Sequence, residues 1–108
     1  MYKDIDAQTF KSATNDDPNS VIIDVRSAAE LAEGVIPGAL HIDLMSGSFA
    51  EKIKQLDKNK SYYLYCRSGN RSGMAAGAMS QWGFKELYNL AGGIMSWNGP
   101  VEHPGVTH

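Results

Sequence analysis

Apolar and polar positions along the chain follow two alternating rhythms. Val21-Ile22-Ile23-Asp24-Val25 is β-branched and nearly continuous, as a strand covered on both faces should be, and Tyr62-Tyr63-Leu64-Tyr65 has the same character. Shorter runs at Ala39-Leu40-His41-Ile42 and Glu86-Leu87-Tyr88 predict two more strands, with Lys3-Asp4-Ile5 on an edge. Helical signals lie between them. Asp6 caps a segment reaching about Ser12, and Ser27-Ala28-Ala29-Glu30 is a capping-box pattern that opens a short helix to Glu33. Ser48 caps a helix to about Leu56, with Phe49, Ile53 and Leu56 on one face. A fourth helix, about Arg71 to Trp82, stops at Gly83, and Met74, Ala78 and Trp82 share the face read as its core side. Strands alternating with helices imply an α/β fold, a small parallel β-sheet of about five strands flanked by helices on both faces.

Length and composition set the scale of that fold. The chain has 108 residues and reads as one domain over 1–108, able to bury roughly two-thirds of the surface its unfolded form exposes. Residues 99–108 read as a loosely held tail. An apolar fraction of 43% with 20% charged residues is ordinary for a soluble protein, and no apolar run approaches the roughly 18–20 residues of a membrane span. The start, Met1-Tyr2-Lys3-Asp4-Ile5-Asp6, lacks the basic-then-apolar layout of a secretory leader. The expected location is therefore cytoplasmic, or periplasmic if a leader was removed before residue 1. A net charge of −2 argues against nucleic acid as a partner, and a monomer is the default expectation at this size.

Charge is unevenly placed. No acidic residue lies between Asp57 and Glu86, whereas Lys58, Lys60, Arg67, Arg71 and Lys85 all fall there. The chain's single cysteine, Cys66, sits at the centre of this basic segment. One cysteine excludes an internal disulfide and fits a reducing compartment. A strand ending at Tyr65, a turn over 66–71 and a helix from about Ser72 place Cys66 at a strand's carboxyl end, where open α/β sheets bind ligands. Ser68, Gly69 and Asn70 tolerate left-handed or bridging backbone, so successive N–H groups can point inward as an anion nest. The following helix adds unpaired N–H groups and about half a positive charge. A thiol so placed titrates low, and its thiolate is a nucleophile. Arg67 and Arg71 supply planar forks that suit sulfate-like or phosphate-like groups.

These residues resemble the single-domain rhodaneses. Cys66-Arg67-Ser68-Gly69-Asn70-Arg71 matches that family's Cys-x-x-Gly-x-Arg loop, and Asp24-Val25-Arg26 with Glu30 is similar to its first signature. Gly34-Val35-Ile36-Pro37-Gly38-Ala39 resembles its Gly-His-Ile-Pro-Gly-Ala segment, with Val35 in place of His, and Leu90-Ala91-Gly92-Gly93-Ile94 with Trp97 its closing motif. The resemblance implies a sulfurtransferase in which Cys66 attacks the outer sulfur of a small anionic donor such as thiosulfate and holds it as a persulfide. A thiol acceptor, or cyanide in an assay, then removes that sulfur. It further implies that Arg67 and Arg71 hold the donor's oxyanion end, that Ser68, Gly69 and Asn70 line the substrate loop, and that no metal or organic cofactor is needed.

Three other readings compete. A cysteine phosphatase or arsenate reductase also uses a Cys, a nest and an Arg, but in a Cys-x5-Arg loop one residue longer than this one. Rhodanese-like folds also serve as noncatalytic binding modules, usually without the loop Cys. A persulfide carrier serving a protein partner would differ only in donor and acceptor. Elsewhere the expectations are structural. Asp24 and Arg26 fix the turn after their strand, Arg26 acting through Glu30; Gly73 and Gly77 allow close helix–sheet packing. His41, His103 and His108 lack metal-ligand spacing. Pro37-Gly38 makes a turn, and Trp97 packs beneath or beside the loop.

Overall fold

A computed structural model of the chain describes residues 1–104. Five strands form one parallel sheet: β1 (Lys3–Ile5), β2 (Ser20–Asp24), β3 (Leu40–His41), β4 (Ser61–Tyr65) and β5 (Glu86–Leu90), in the order β1-β5-β4-β2-β3. The central pair keeps one register throughout, from Ser20 opposite Ser61 to Asp24 opposite Tyr65. Three α-helices cover it: α1 (Ala7–Asp16), α2 (Phe49–Lys54) and α3 (Asn70–Gln81). Two short 3-10 helices, Ala28–Glu33 and Gly93–Ser96, follow β2 and β5 at the carboxyl edge. None of these helices is long and apolar enough to cross a membrane among the described residues.

Side-chain alternation along β4 explains the two faces. Tyr62, Leu64 and Cys66 enter a core with Ile23, Val25 and the α2 and α3 residues Phe49, Ile53, Ala75, Ala76 and Met79. Tyr63 and Tyr65 point the other way, into a second cluster with Phe10 of α1, Ile36 and Leu90. The expected five-strand parallel sheet with helices on both faces is therefore the observed architecture.

Local differences have physical causes. Helix α1 runs four residues beyond Ser12 because nothing there breaks it; it ends where Asp17, held extended before Pro18, donates its amide to the Ala13 carbonyl. Its start is as expected, the Asp6 carboxylate accepting the Thr9 amide at 2.8 Å. Of the predicted face, Trp82 is partly buried against the core beside Phe49, but the fully buried side of α3 is Ser72, Gly73, Ala75, Ala76 and Met79, and Met74 is 69% exposed. Small residues let the helix lie close on the sheet, so they define its buried side. A Cβ on Gly73 would come within 3.1 Å of the Tyr2 hydroxyl, whereas one on Gly77 would have ordinary clearance. In the tail, the exposed Glu102 pairs its backbone with Val35 in both directions at 2.7 and 2.8 Å. Residues 105–108 of that tail, His108 included, lie outside the described residues.

Candidate active site

The β2–β4 ladder closes with the Val25 amide on the Tyr65 carbonyl, so Cys66 is the first residue past the sheet's carboxyl edge. Helix α3 begins only four residues later, at Asn70, with Gly69 at its cap in left-handed backbone (φ 102°). Gly69 has no side chain to satisfy the helix's first amides. Cys66 takes that role. Its Sγ accepts the Gly69 amide at 3.1 Å, the Ser72 amide at 3.4 Å and the Ser72 hydroxyl at 3.3 Å. Burial of Cys66 pushes its thiol up, but the Ser72 hydroxyl and amide and the Gly69 and Ser68 amides together outweigh it, and the thiol titrates below its ordinary value.

The loop is held from outside by the segment after β5. The Ile94 amide donates to the Cys66 carbonyl at 2.9 Å and the Met95 amide to the Arg67 carbonyl at 3.2 Å. These bonds turn the loop carbonyls away from the sulfur, leaving amides to face it. The approach needs Gly93: a Cβ there would lie 2.2 Å from the Arg67 oxygen, and its φ of +64° is left-handed as well.

A polar line runs behind the sulfur through the sheet. The Ser72 hydroxyl also lies 2.5 Å from Asn89 Oδ1. Asn89 Nδ2 donates to the Asp4 carboxylate at 2.9 Å and to the Gly69 carbonyl at 3.1 Å, which orients the amide with its oxygen toward Ser72. Sequence reasoning missed Ser72 as a thiol partner and missed Asn89 and Asp4 altogether. The available signal was one polar residue, Asn89, inside the otherwise apolar Leu87–Leu90 run.

The arginines divide by partner. Arg26 and Asp24 are each 1% exposed, and the Arg26 fork grips the Asp24 carboxylate through Nε at 3.0 Å and Nη2 at 2.8 Å. Arg26 also donates to the Glu30 and Gly34 carbonyls and lies 5.4 Å from the centre of the Tyr65 ring. Its contacts in the turn are thus with Asp24 and backbone oxygens; the expected Glu30 carboxylate goes elsewhere. That carboxylate binds Arg71 with both oxygens, Nη1 at 2.6 Å and Nη2 at 2.7 Å. It also accepts the Ser27 amide and hydroxyl at 3.1 and 3.0 Å, the reading side of the predicted capping box. Arg71 above all holds the Glu30 carboxyl down to about 2, and Glu30 in turn raises Arg71. Arg67, Ser68 and Asn70 are exposed around Cys66, and Arg67 has no side-chain partner among the described residues. His41 is half-buried and satisfied, its Nε2 2.7 Å from the Arg26 carbonyl. Trp97 is not beside the loop; it packs edge-on against Phe10 in the opposite core cluster.

A buried sulfur ringed by donors at the carboxyl end of a central parallel strand can stabilise an anion on that sulfur or on an atom attached to it. Known proteins carry the same arrangement of elements. A family model described as the rhodanese-like domain matches residues 6–100. YtwF of Bacillus subtilis, provisionally named a sulfurtransferase, is 41% identical over 100 residues, spanning 93% of this chain and 94% of its own. A protein of Allochromatium vinosum named a sulfurtransferase is 32% identical over 97 residues, with 90% and 89% covered. A rhodanese-related protein from Thermoplasma volcanium has a similar solved structure, with a TM-score of 0.81 at 32% identity over 94% of this chain and 98% of that one. With a matching family model over most of its length and relatives covered nearly end to end, the chain belongs to the rhodanese-like domain family.

Proposed function

We propose that this protein is a sulfurtransferase that carries sulfane sulfur as a persulfide on Cys66, loading from thiosulfate or a related donor and discharging to a thiol, or to cyanide in an assay. The observation that carries the reading is the environment of Sγ: three donors, two amides and a hydroxyl, all within 3.4 Å. In the first half-reaction the Cys66 thiolate attacks the outer sulfur of thiosulfate. A Cys66–sulfur bond forms, the donor's sulfur–sulfur bond breaks, and its electron pair leaves with sulfite. In the second, an acceptor thiolate attacks the terminal persulfide sulfur, and the electron pair of the broken bond returns to Cys66. No net oxidation occurs, and no redox cofactor is needed.

The same donors serve both states. Amides of Gly69 and Ser68 and the Ser72 hydroxyl would stabilise the thiolate before transfer and the negative terminal sulfur after it, as an oxyanion hole does for oxygen. With Cys66 1% exposed, a donor must present a projecting atom rather than a crowded tetrahedral centre, which favours a sulfane sulfur over a phosphoryl group. Arg67 would hold the donor's oxyanion end; Ser68 and Asn70 would line its path. The test is turnover of thiosulfate with cyanide or glutathione, read as thiocyanate or sulfite, for the parent and Cys66→Ser, with p-nitrophenyl phosphate as counter-substrate. Sulfur transfer lost in Cys66→Ser, without phosphate release in either protein, is the expected result. Phosphate release that depends on Cys66, with no sulfur transfer from any donor, would overturn the proposal.

A further inference from the structure

Two arginines flank Cys66, but their side chains are in different states. Arg71 is the second residue of α3, and both of its terminal nitrogens lie on the two oxygens of Glu30, which is 41 positions away in sequence. Glu30 is itself fixed, because the Ser27 amide and hydroxyl hold the same carboxylate within the short helix that follows β2. The pair is partly open, with side-chain exposures of 30% for Arg71 and 21% for Glu30, so it borders solvent at the loop rather than lying in the core. An arginine recognises an oxyanion by presenting two parallel N–H groups, and Glu30 already occupies those of Arg71. The pair is also neutral as a unit. Arg67 remains the loop arginine whose fork is uncommitted among the described residues.

We propose that Glu30 is a specificity-determining residue that restrains use of oxyanion-bearing donors by tethering Arg71, so that the site favours organic persulfides over thiosulfate more than its two-arginine loop suggests. The inference rests on the sulfur-transfer reading and deepens it. Thiosulfate approaches with two negative charges next to the sulfur it donates, and it meets one uncommitted guanidinium instead of two. An organic persulfide has no oxyanion on its sulfane sulfur and needs no such fork. Its loading step balances likewise: the Cys66 thiolate takes the outer sulfur, the donor's sulfur–sulfur bond breaks, and the electron pair leaves with the donor thiolate.

The experiment compares kcat/KM for thiosulfate with that for the persulfide of N-acetylcysteine amide, which carries no carboxylate. The proteins are the parent, Glu30→Gln, Glu30→Ala, Arg71→Ala and the double variant Glu30→Gln/Arg71→Ala, each checked for native melting. Glu30→Gln keeps a side-chain oxygen for the Ser27 cap while removing the charge that holds Arg71. The expected result is a thiosulfate-to-persulfide ratio raised roughly 3- to 10-fold in both Glu30 variants, the scale of one partly screened charge. Arg71→Ala should lower the ratio, because a bare carboxylate then faces the donor, and the double variant should return it close to the parent value. A double variant as poor as Arg71→Ala would mean that Arg71 grips thiosulfate directly, and would overturn the proposal; so would Glu30 variants with an unchanged or lower ratio. A parent protein that loads from neither donor would instead overturn the sulfur-transfer reading and this inference with it.

Discussion

Ser72→Ala removes one oxygen and isolates what the hydroxyl does for the sulfur. The Ser72 hydroxyl has a single proton and two acceptors, Cys66 Sγ at 3.3 Å and Asn89 Oδ1 at 2.5 Å. Among the groups that pull the Cys66 thiol down it ranks first, ahead of the Ser72 and Gly69 amides. A hydrogen bond to a charged group is worth about 1.5–3 kcal/mol when the proton is committed to it. Because this proton is shared with the closer Asn89 oxygen, its loss in Ser72→Ala should cost the thiolate about 1.5 kcal/mol, the low end of that range, and raise the Cys66 pKa. The assay is the pH dependence of alkylation by iodoacetamide, checked against thiolate ultraviolet absorbance. Melting is followed separately, since the variant leaves the buried Asn89 oxygen without this donor, which costs about 1–3 kcal/mol. A natively folded Ser72→Ala whose thiol titrates at or below the parent value would refute the assignment of the hydroxyl to the sulfur.

Arg26→Leu strips the partner from a buried Asp24, which costs about 3–5 kcal/mol, and should lower Tm by more than about 10 °C; a melt within a few degrees of the parent would contradict the role given to that pair. Gly93→Ala forces a Cβ against the Arg67 carbonyl and a left-handed φ on alanine, so it should melt lower and raise the Cys66 pKa as the loop shifts; alkylation profiles and melts matching the parent would count against it. Glu30 provides a pH test. Its folded carboxyl lies at about 2 against an ordinary 4.5, so its contribution to stability is full above about 4.5 and is lost as pH falls through about 2. The stability difference between the parent and Glu30→Gln should therefore shrink over that window in acid melts, and a difference that stays constant would exclude the ion pair as its source.

What was legible in the sequence is what local chemistry determines. The apolar run to Tyr65, the Gly-containing turn and the helix after it are contiguous, so the placement of Cys66 at a strand's carboxyl end followed without tertiary knowledge. Pairings across long sequence separations were not. Glu30 appeared to belong to Arg26, four residues away, because capping patterns are read locally; in the fold the Asp24 carboxylate already occupies Arg26, which frees Glu30 for Arg71. On α3 the expectation holds for Trp82 and fails for Met74, because weighing large residues above small ones hides the side that packs on the sheet. Gly73, Ala75 and Ala76 permit close approach to the sheet, and that approach leaves Met74 in solvent. Asn89 lies one residue past the strand predicted over Glu86–Tyr88 and drew no reading, and only the crossing of β5 beside α3 brings it to Ser72. Trp97 was placed near the loop because its motif is; the chain turns at Gly93–Ser96 and delivers the ring to Phe10 on the opposite face.

Sulfur transfer through Cys66 is tested by the intact mass of the reduced protein after brief exposure to thiosulfate, and again after cyanide, with Cys66→Ser alongside. The expected result is a gain of one sulfur atom in the parent, none in the variant, and its removal by cyanide as thiocyanate. A parent mass that stays unchanged with thiosulfate and with an organic persulfide, or an equal gain in Cys66→Ser, would contradict sulfur transfer through Cys66.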